Sequence, residues 1–297
     1  MVDSTDVELL AAYFTLAGDV YPFGPAGITS PFPFKDRVEA AAKAGWKGIG
    51  LLLVDAQATA AKIGVGEMKR ILDANGMKHV ELELLIDWYL DGERRAKSDK
   101  SRHLILEMAQ ALGARAVKVS PGRGEDPTNP RPADLVPEVP RMIDGFIGLC
   151  HDAAEHGTAI VMEICPYSNV NKIETGRAIV VGANQPNGGL LLDIWHIVRG
   201  GNAFSEIATI PANFIGSIEL DDAAAELGDH TLWEDTIYHR MLPGEGGLNV
   251  PAFIKAVQAA GYKGPWGVEI LSETYRKLPL AEMARRSFEA TMAQFSK

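Results

Sequence analysis

The feature that most constrains this chain is a recurrence. Eight short apolar runs rich in β-branched residues each precede a stretch with helical periodicity, at spacings of about 30 to 50 residues. They are Tyr13–Ala17, Gly48–Val54, His79–Ile86, Ala116–Ser120, Ala159–Ile164, Leu190–Ile194, Phe214–Leu220 and Gly267–Leu271. Strands that alternate with helices form a parallel sheet through right-handed crossovers. Such a sheet is either open and doubly wound or closed into a barrel. No G-x-G-x-x-G opens a helix after the first run, which weakens the dinucleotide-binding open sheet. The 297 residues comfortably hold a barrel, which needs about 250. The expected fold is therefore α/β, a single (β/α)8 TIM barrel over residues 1–297.

The helices have readable stops. Asp36–Ala44 runs into Gly45, Met68–Ala74 into Asn75-Gly76, Ser101–Leu112 into Gly113, and Val139–Glu155 into His156-Gly157. Pro251–Ala260 opens on proline and closes at Gly261, and Ala281–Phe295 finishes the chain. The sixth and seventh connections are less regular. Residues 223–239 read as a loop insertion over the active-site mouth, with Trp233 and Tyr238 as lid or subunit contacts, or as plain surface packing.

Hydrophobic residues make up 46% of the chain and charged residues 23%, enough apolar material for a large core. The net charge of −10, without a dense Lys/Arg run, argues against nucleic acid as a partner. Asp3, Asp6 and Glu8 stand where a secretory signal carries positive charge, and no apolar run is long enough to span a membrane. Cys150 and Cys165 read as reduced, structural thiols. Together these point to a cytoplasmic protein with no membrane association.

Four of the runs place an acid within apolar sequence: Val161-Met162-Glu163-Ile164, Leu191-Leu192-Asp193-Ile194, Ser217-Ile218-Glu219-Leu220 and Gly267-Val268-Glu269-Ile270. One buried carboxylate answered by Lys or Arg is ordinary, but four on successive strands strain that explanation. Lys118, Arg199 and Arg240 look too few to satisfy four separate sites. A divalent cation at the C-terminal mouth, where barrel strands converge, resolves the conflict by holding Glu163, Asp193, Glu219 and Glu269 together. His196, three residues after Asp193, is placed to bond a substrate hydroxyl, or is a solvated loop histidine. Arg240, ahead of Pro243-Gly244-Glu245-Gly246, reaches the mouth or is a surface charge. Lys118 orients an oxyanion or forms a barrel-core salt bridge. Glu81 and Glu83 read as a structural polar layer or as a substrate contact, and His79 as structural.

On these residues the chain resembles the xylose-isomerase-like TIM barrel superfamily, in particular its ketose 3-epimerase, hydroxypyruvate isomerase and inosose dehydratase branch. The resemblance covers nearly the whole chain. It implies that Glu163 and Glu269 bind the metal and form the acid/base pair. Asp193 and His196 match the family's Asp-x-x-His, a ligand followed by a substrate-binding histidine. Arg240 matches the arginine of an Arg-x-x-Pro-Gly-x-Gly loop that binds substrate in the epimerases. Two departures stand out. Glu219 occupies a ligand position that is commonly histidine, leaving open whether Asp221 assists it. Asn169 replaces a substrate-binding glutamate. An all-carboxylate set favours Mn²⁺ or Mg²⁺ over Co²⁺ or Zn²⁺.

The expected activity is isomerisation or epimerisation of a small polyhydroxylated carbonyl substrate, a ketose or keto-polyol, through a cis-enediolate. The alternative is a lyase that dehydrates a keto-polyol or cleaves a keto-glycoside. A homo-oligomer, dimer or tetramer, is the expected assembly. An abasic-site endonuclease is disfavoured, because of seven histidines only His196 falls at an expected strand end in the mouth.

Overall fold

A computed structural model describes residues 7–25, 27–122 and 136–296. Eight parallel strands pair in chain order and close into a barrel. They are β1 (Leu9–Ala11), β2 (Gly48–Leu52), β3 (His79–Leu85), β4 (Ala116–Val119), β5 (Ala159–Glu163), β6 (Gly188–Asp193), β7 (Ile215–Leu220) and β8 (Trp266–Val268). Helices Phe34–Ala44, Gly92–Leu112, Val139–Glu155, Val250–Ala259 and Leu280–Met292 pack outside, with glycine stops at Gly45 and Gly113 in the left-handed region. Phe146 and Phe253 on these helices are buried, as are Trp46 and Trp88 in the connecting segments. No described helix is long and apolar enough to cross a membrane.

Two strand expectations need correction. Tyr13–Ala17 is not the first strand; it contains the short helix Tyr13–Leu16, and the strand is Leu9–Ala11. Aromatic and β-branched residues gave Tyr13–Ala17 a strand-like composition, but Leu9–Ala11 pairs with both β2 and β8. The Thr15 hydroxyl then ties the following helix to β8, donating to Val268 O and accepting from Ile270 N. At the other seam the β8 ladder ends at Val268, so Glu269 lies one residue past it. Its N–H still donates to Leu220 O at 3.1 Å.

Register decides which residues face the lumen, because paired residues on parallel strands point the same way. Glu81 pairs with Ala116, Lys118 with Val161, Glu163 with Leu191, Asp193 with Glu219, and Glu219 with Gly267. The lumen is layered as a result. Ala116, Val161 and Leu191 form a small apolar cluster. On the β3–β7 side, Arg115 bonds Glu81, the Ser217 hydroxyl (2.9 Å) and Gly216 O (2.8 Å). This is the structural polar layer expected of Glu81.

Gly267 makes room for Glu219. A Cβ there would lie 2.5 Å from Ile218 O and 3.0 Å from Glu219 Cγ, and the first of these is backbone that cannot step aside. Gly267→Ala is expected to cost about 1–3 kcal/mol of stability by overpacking, read as a lower urea midpoint with an unchanged slope.

Candidate metal centre

The four strand-end acids arrive at one end of the barrel. Glu163 is the last residue of β5 and Asp193 the last of β6; Glu219 lies within β7, and Glu269 directly follows β8. Asp193 also caps the helix Ile194–Arg199, its Oδ1 accepting from His196 N at 3.0 Å. That helix begins where the strand ends, which fixes the carboxylate's orientation. All four acids are buried; even Glu163 is only 8% exposed.

Asp193, Glu219 and Glu269 each offer an oxygen, and these atoms lie within 4.8 Å of one another. Opposite ligands of one Mg²⁺ or Mn²⁺ sit about 4.2 Å apart, so the spacing suits a single hard cation. A second group, Glu163, Cys165 and His196, meets the same spacing on the β5 side. The donor chemistry thus fits a divalent metal. Asp193, Glu219 and Glu269 are the residues that could hold it; Glu163, expected as a fourth ligand, falls in the second group instead.

Two buried cations already balance part of this charge, which corrects the expectation that nearby bases are too few. Lys118 Nζ lies 2.5 Å from Glu219 Oε1, 3.5 Å from Glu83 and 3.7 Å from Glu81. The barrel-core salt bridge is the arrangement seen, with the ammonium facing these three carboxylates. Burial works against its charge, but Glu219, Glu83, Glu81 and Glu269 outweigh it and push its pKa well up. Arg240 is buried too. Its Nη1 donates to Asp193 (2.8 Å) and contacts Asp221, while Nη2 lies 3.5 Å from Glu269. Arg199, in contrast, turns away to Asp235 at 2.8 Å. Asp221, which sequence alone left as a helper of Glu219, meets Arg240.

His196 sits between these groups. Its Nδ1 is 3.1 Å from Ile164 O and 3.3 Å from Glu163, and its Nε2 is 3.0 Å from Arg240 Nη2. A carbonyl only accepts and a guanidinium only donates, so the partners assign the tautomer with the proton on Nδ1. Arg240 also stacks over the Trp195 ring at 4.7 Å and donates to the Thr236 hydroxyl at 3.0 Å. Asn169 is buried, with its amide donating to the Tyr89 hydroxyl.

Sequence reasoning missed the residues that hold the mouth together. Asp222 accepts from Leu248 N (2.9 Å) and Gly244 N (3.0 Å), wrapping the glycine-rich loop after Arg240 around one carboxylate. A Cβ at Gly246 would fall 2.2 Å from Ala223 O, so that loop is compact, not loose. Asp235 accepts from Trp195 Nε1 at 2.7 Å as well as from Arg199. It lies in the helix Leu232–Tyr238, which opens on a Thr231–Glu234 capping box. That box was readable as T-x-x-E; the anchoring role of its helix was not. Trp233 packs between Tyr167 and Phe23, with ring centroids at 5.8 and 5.6 Å. Away from the mouth, His79 bonds Glu8 at 2.6 Å; both cysteines are buried and not joined in a disulfide.

Charge crowding sets the pH behaviour. Burial is the main cause that pushes Glu269 up to about 8; Arg240 opposes it, and Glu83, Asp193 and Glu163 add to it. Glu219 is also raised, first by burial and then by Glu269, Glu83 and Asp193 against the pull of Lys118. Asp193 goes the other way, since Arg240, His196 and a backbone N–H outweigh its burial. Below pH 8 the folded, metal-free protein keeps a proton on Glu269 that the unfolded chain releases above its ordinary value of 4.5. Stability from this group therefore falls as pH rises between those limits. A cation must displace the same proton. Its affinity is expected to rise by at least about tenfold per pH unit below pH 8, since Glu269 and Glu219 must both give up protons, as a Mn²⁺ titration at several pH values would show.

A family model described as a xylose isomerase-like TIM barrel matches residues 38–293. The 3-dehydroshikimate dehydratase of Pseudomonas aeruginosa is 30% identical over 148 residues, covering 50% of this chain and 23% of that protein. The chain thus spans less than a quarter of that relative's length. Inosose isomerase of Halalkalibacterium halodurans is 24% identical over 235 residues, covering 78% of this chain and 80% of that one. Among solved structures, the IolI protein with a bound zinc atom superposes with a TM-score of 0.82 at 20% identity, over 98% of both chains. The strands, their register and the matched span agree: the chain belongs to the xylose isomerase-like TIM barrel family.

Proposed function

We propose that the protein is a divalent-metal-dependent isomerase or epimerase of a small polyhydroxylated carbonyl compound, a ketose or cyclic keto-polyol. The observation that carries this reading is the convergence of Asp193, Glu219 and Glu269 oxygens within 4.8 Å, with Glu163 alongside. Hard oxygen donors favour Mn²⁺ or Mg²⁺. When bound, the metal supplies Lewis acidity, polarising a carbonyl and acidifying the neighbouring C–H. Glu163 and Glu269 are the acid/base pair. One removes the proton α to the carbonyl, giving an enediolate, and the other returns a proton to the opposite face or the neighbouring carbon. Arg240 and His196 hold the substrate oxygens on which negative charge develops. The kinship with inosose isomerase supports this reading for a cyclic substrate.

A second reading is favoured by the match to a 3-dehydroshikimate dehydratase. The same proton abstraction becomes an elimination when the β-carbon carries a leaving hydroxyl or glycosidic oxygen. Incubation with ketoses, inososes and 3-dehydroshikimate in D₂O with Mn²⁺ or Mg²⁺ separates the two. Deuterium at the carbon α to the carbonyl without water loss is the expected outcome; a dehydrated product establishes the lyase instead. Neither product, with metal bound, removes carbonyl chemistry on these substrates. Glu163→Gln and Glu269→Gln are each expected to lower kcat by about 10²–10⁴-fold, with thermal unfolding and metal content measured alongside.

A further inference from the structure

We propose that Lys118 shares Glu219 with the bound cation, withholding part of that carboxylate's charge and so loosening the metal's hold. The inference rests on the metal-centre reading above. Glu219 meets two demands at once. It belongs to the oxygen cluster with Asp193 and Glu269, and its Oε1 is also 2.5 Å from Lys118 Nζ. The ammonium reaches it from β4, across the lumen, and is 2% exposed, so water does not screen it.

The other neighbours of Lys118 have further partners. Glu81 is bonded by Arg115 and Ser217, and Glu83 accepts from Tyr13 N at 3.1 Å. Arg240 serves Asp193, Asp221 and Glu269. Among the described residues, Lys118 is the cation paired with Glu219. A carboxylate that already accepts a short, charge-assisted bond donates less to a metal, and the fixed positive charge repels an incoming cation. With Glu219 partly claimed by Lys118, a bound cation would keep more of its Lewis acidity and exchange ligands more readily for substrate oxygens. Lys118 is a positioning residue in this scheme, acting through Glu219 and never touching substrate.

The test is a Mn²⁺ titration of metal-free protein at pH 8, reading free Mn²⁺ by electron paramagnetic resonance. Lys118→Gln keeps a hydrogen-bond donor and removes the charge; it is expected to bind Mn²⁺ about tenfold tighter than wild type. Lys118→Arg, which keeps the charge, should stay within about threefold of wild type, and adding Glu219→Gln to Lys118→Gln should abolish the gain. Unchanged or weaker binding by Lys118→Gln overturns the proposal. A purely structural lysine would lower the melting temperature with and without metal equally and leave Kd alone.

Glu219→Gln alone gives a reading that does not depend on a Lys118 variant folding. It leaves the Lys118 ammonium without its carboxylate and facing the cation, so its loss of affinity should exceed that of Glu269→Gln, and an equal or smaller loss counts against the proposal. A wild-type protein that binds no divalent cation would instead sink the metal-centre reading itself, a result visible before any variant is made.

Discussion

Charge crowding inside the barrel is the constraint on which the rest of the structure depends. Glu81, Glu83, Glu163, Asp193, Glu219, Asp221 and Glu269 are all buried in or at the rim of one lumen. Arg115, Lys118 and Arg240 answer them from within, leaving four more acids than cations among the described residues. Carboxylates at such spacing cannot all ionise in a low-dielectric interior without a further positive charge. Either protons stay on, as at Glu269, or a cation takes their place. A divalent cation and protons would therefore compete for this site.

The cations do more than neutralise. Arg240 is held by Asp193 and Asp221, by the Trp195 face and by Thr236. Each tie leads outward. Trp195 bonds Asp235, Asp235 anchors Arg199, and Arg199 donates to the carbonyls of Ala224 and Ala225. Asp222 then fastens the glycine-rich loop onto the start of the same segment. Residues 223–239, although irregular in sequence, are thereby bound to the ends of β6 and β7. A substitution at Asp235 or Asp222 would be felt at Arg240 through this chain of bonds.

The sequence made some of this legible and hid the rest for identifiable reasons. An acid inside a β-branched run announces itself, because apolar neighbours on both sides fix it to a strand that must bury it. Hence Glu163, Asp193, Glu219 and Glu269 were readable without coordinates. Strand one was misplaced because Tyr13 and Phe14 look like strand residues, while the true strand, Leu9–Ala11, is three residues long. The pairing of Lys118 with Glu219 joins residues 101 positions apart across a closed barrel. Such a contact depends on the stagger between strands, which no local pattern encodes. For the same reason Arg240 was placed at the mouth by its loop, but its bonds to Asp193 and Asp221 were not foreseen.

His196 shows how this frame bears on the chemistry. With its Nδ1 proton directed at Ile164 O and Glu163, its Nε2 lone pair can receive Arg240. These bonds fix the ring's orientation between Glu163 and Arg240. Burial and acidic neighbours push Glu269 up to about 8, so the base proposed above holds its proton in the metal-free site and would give it up to an incoming cation.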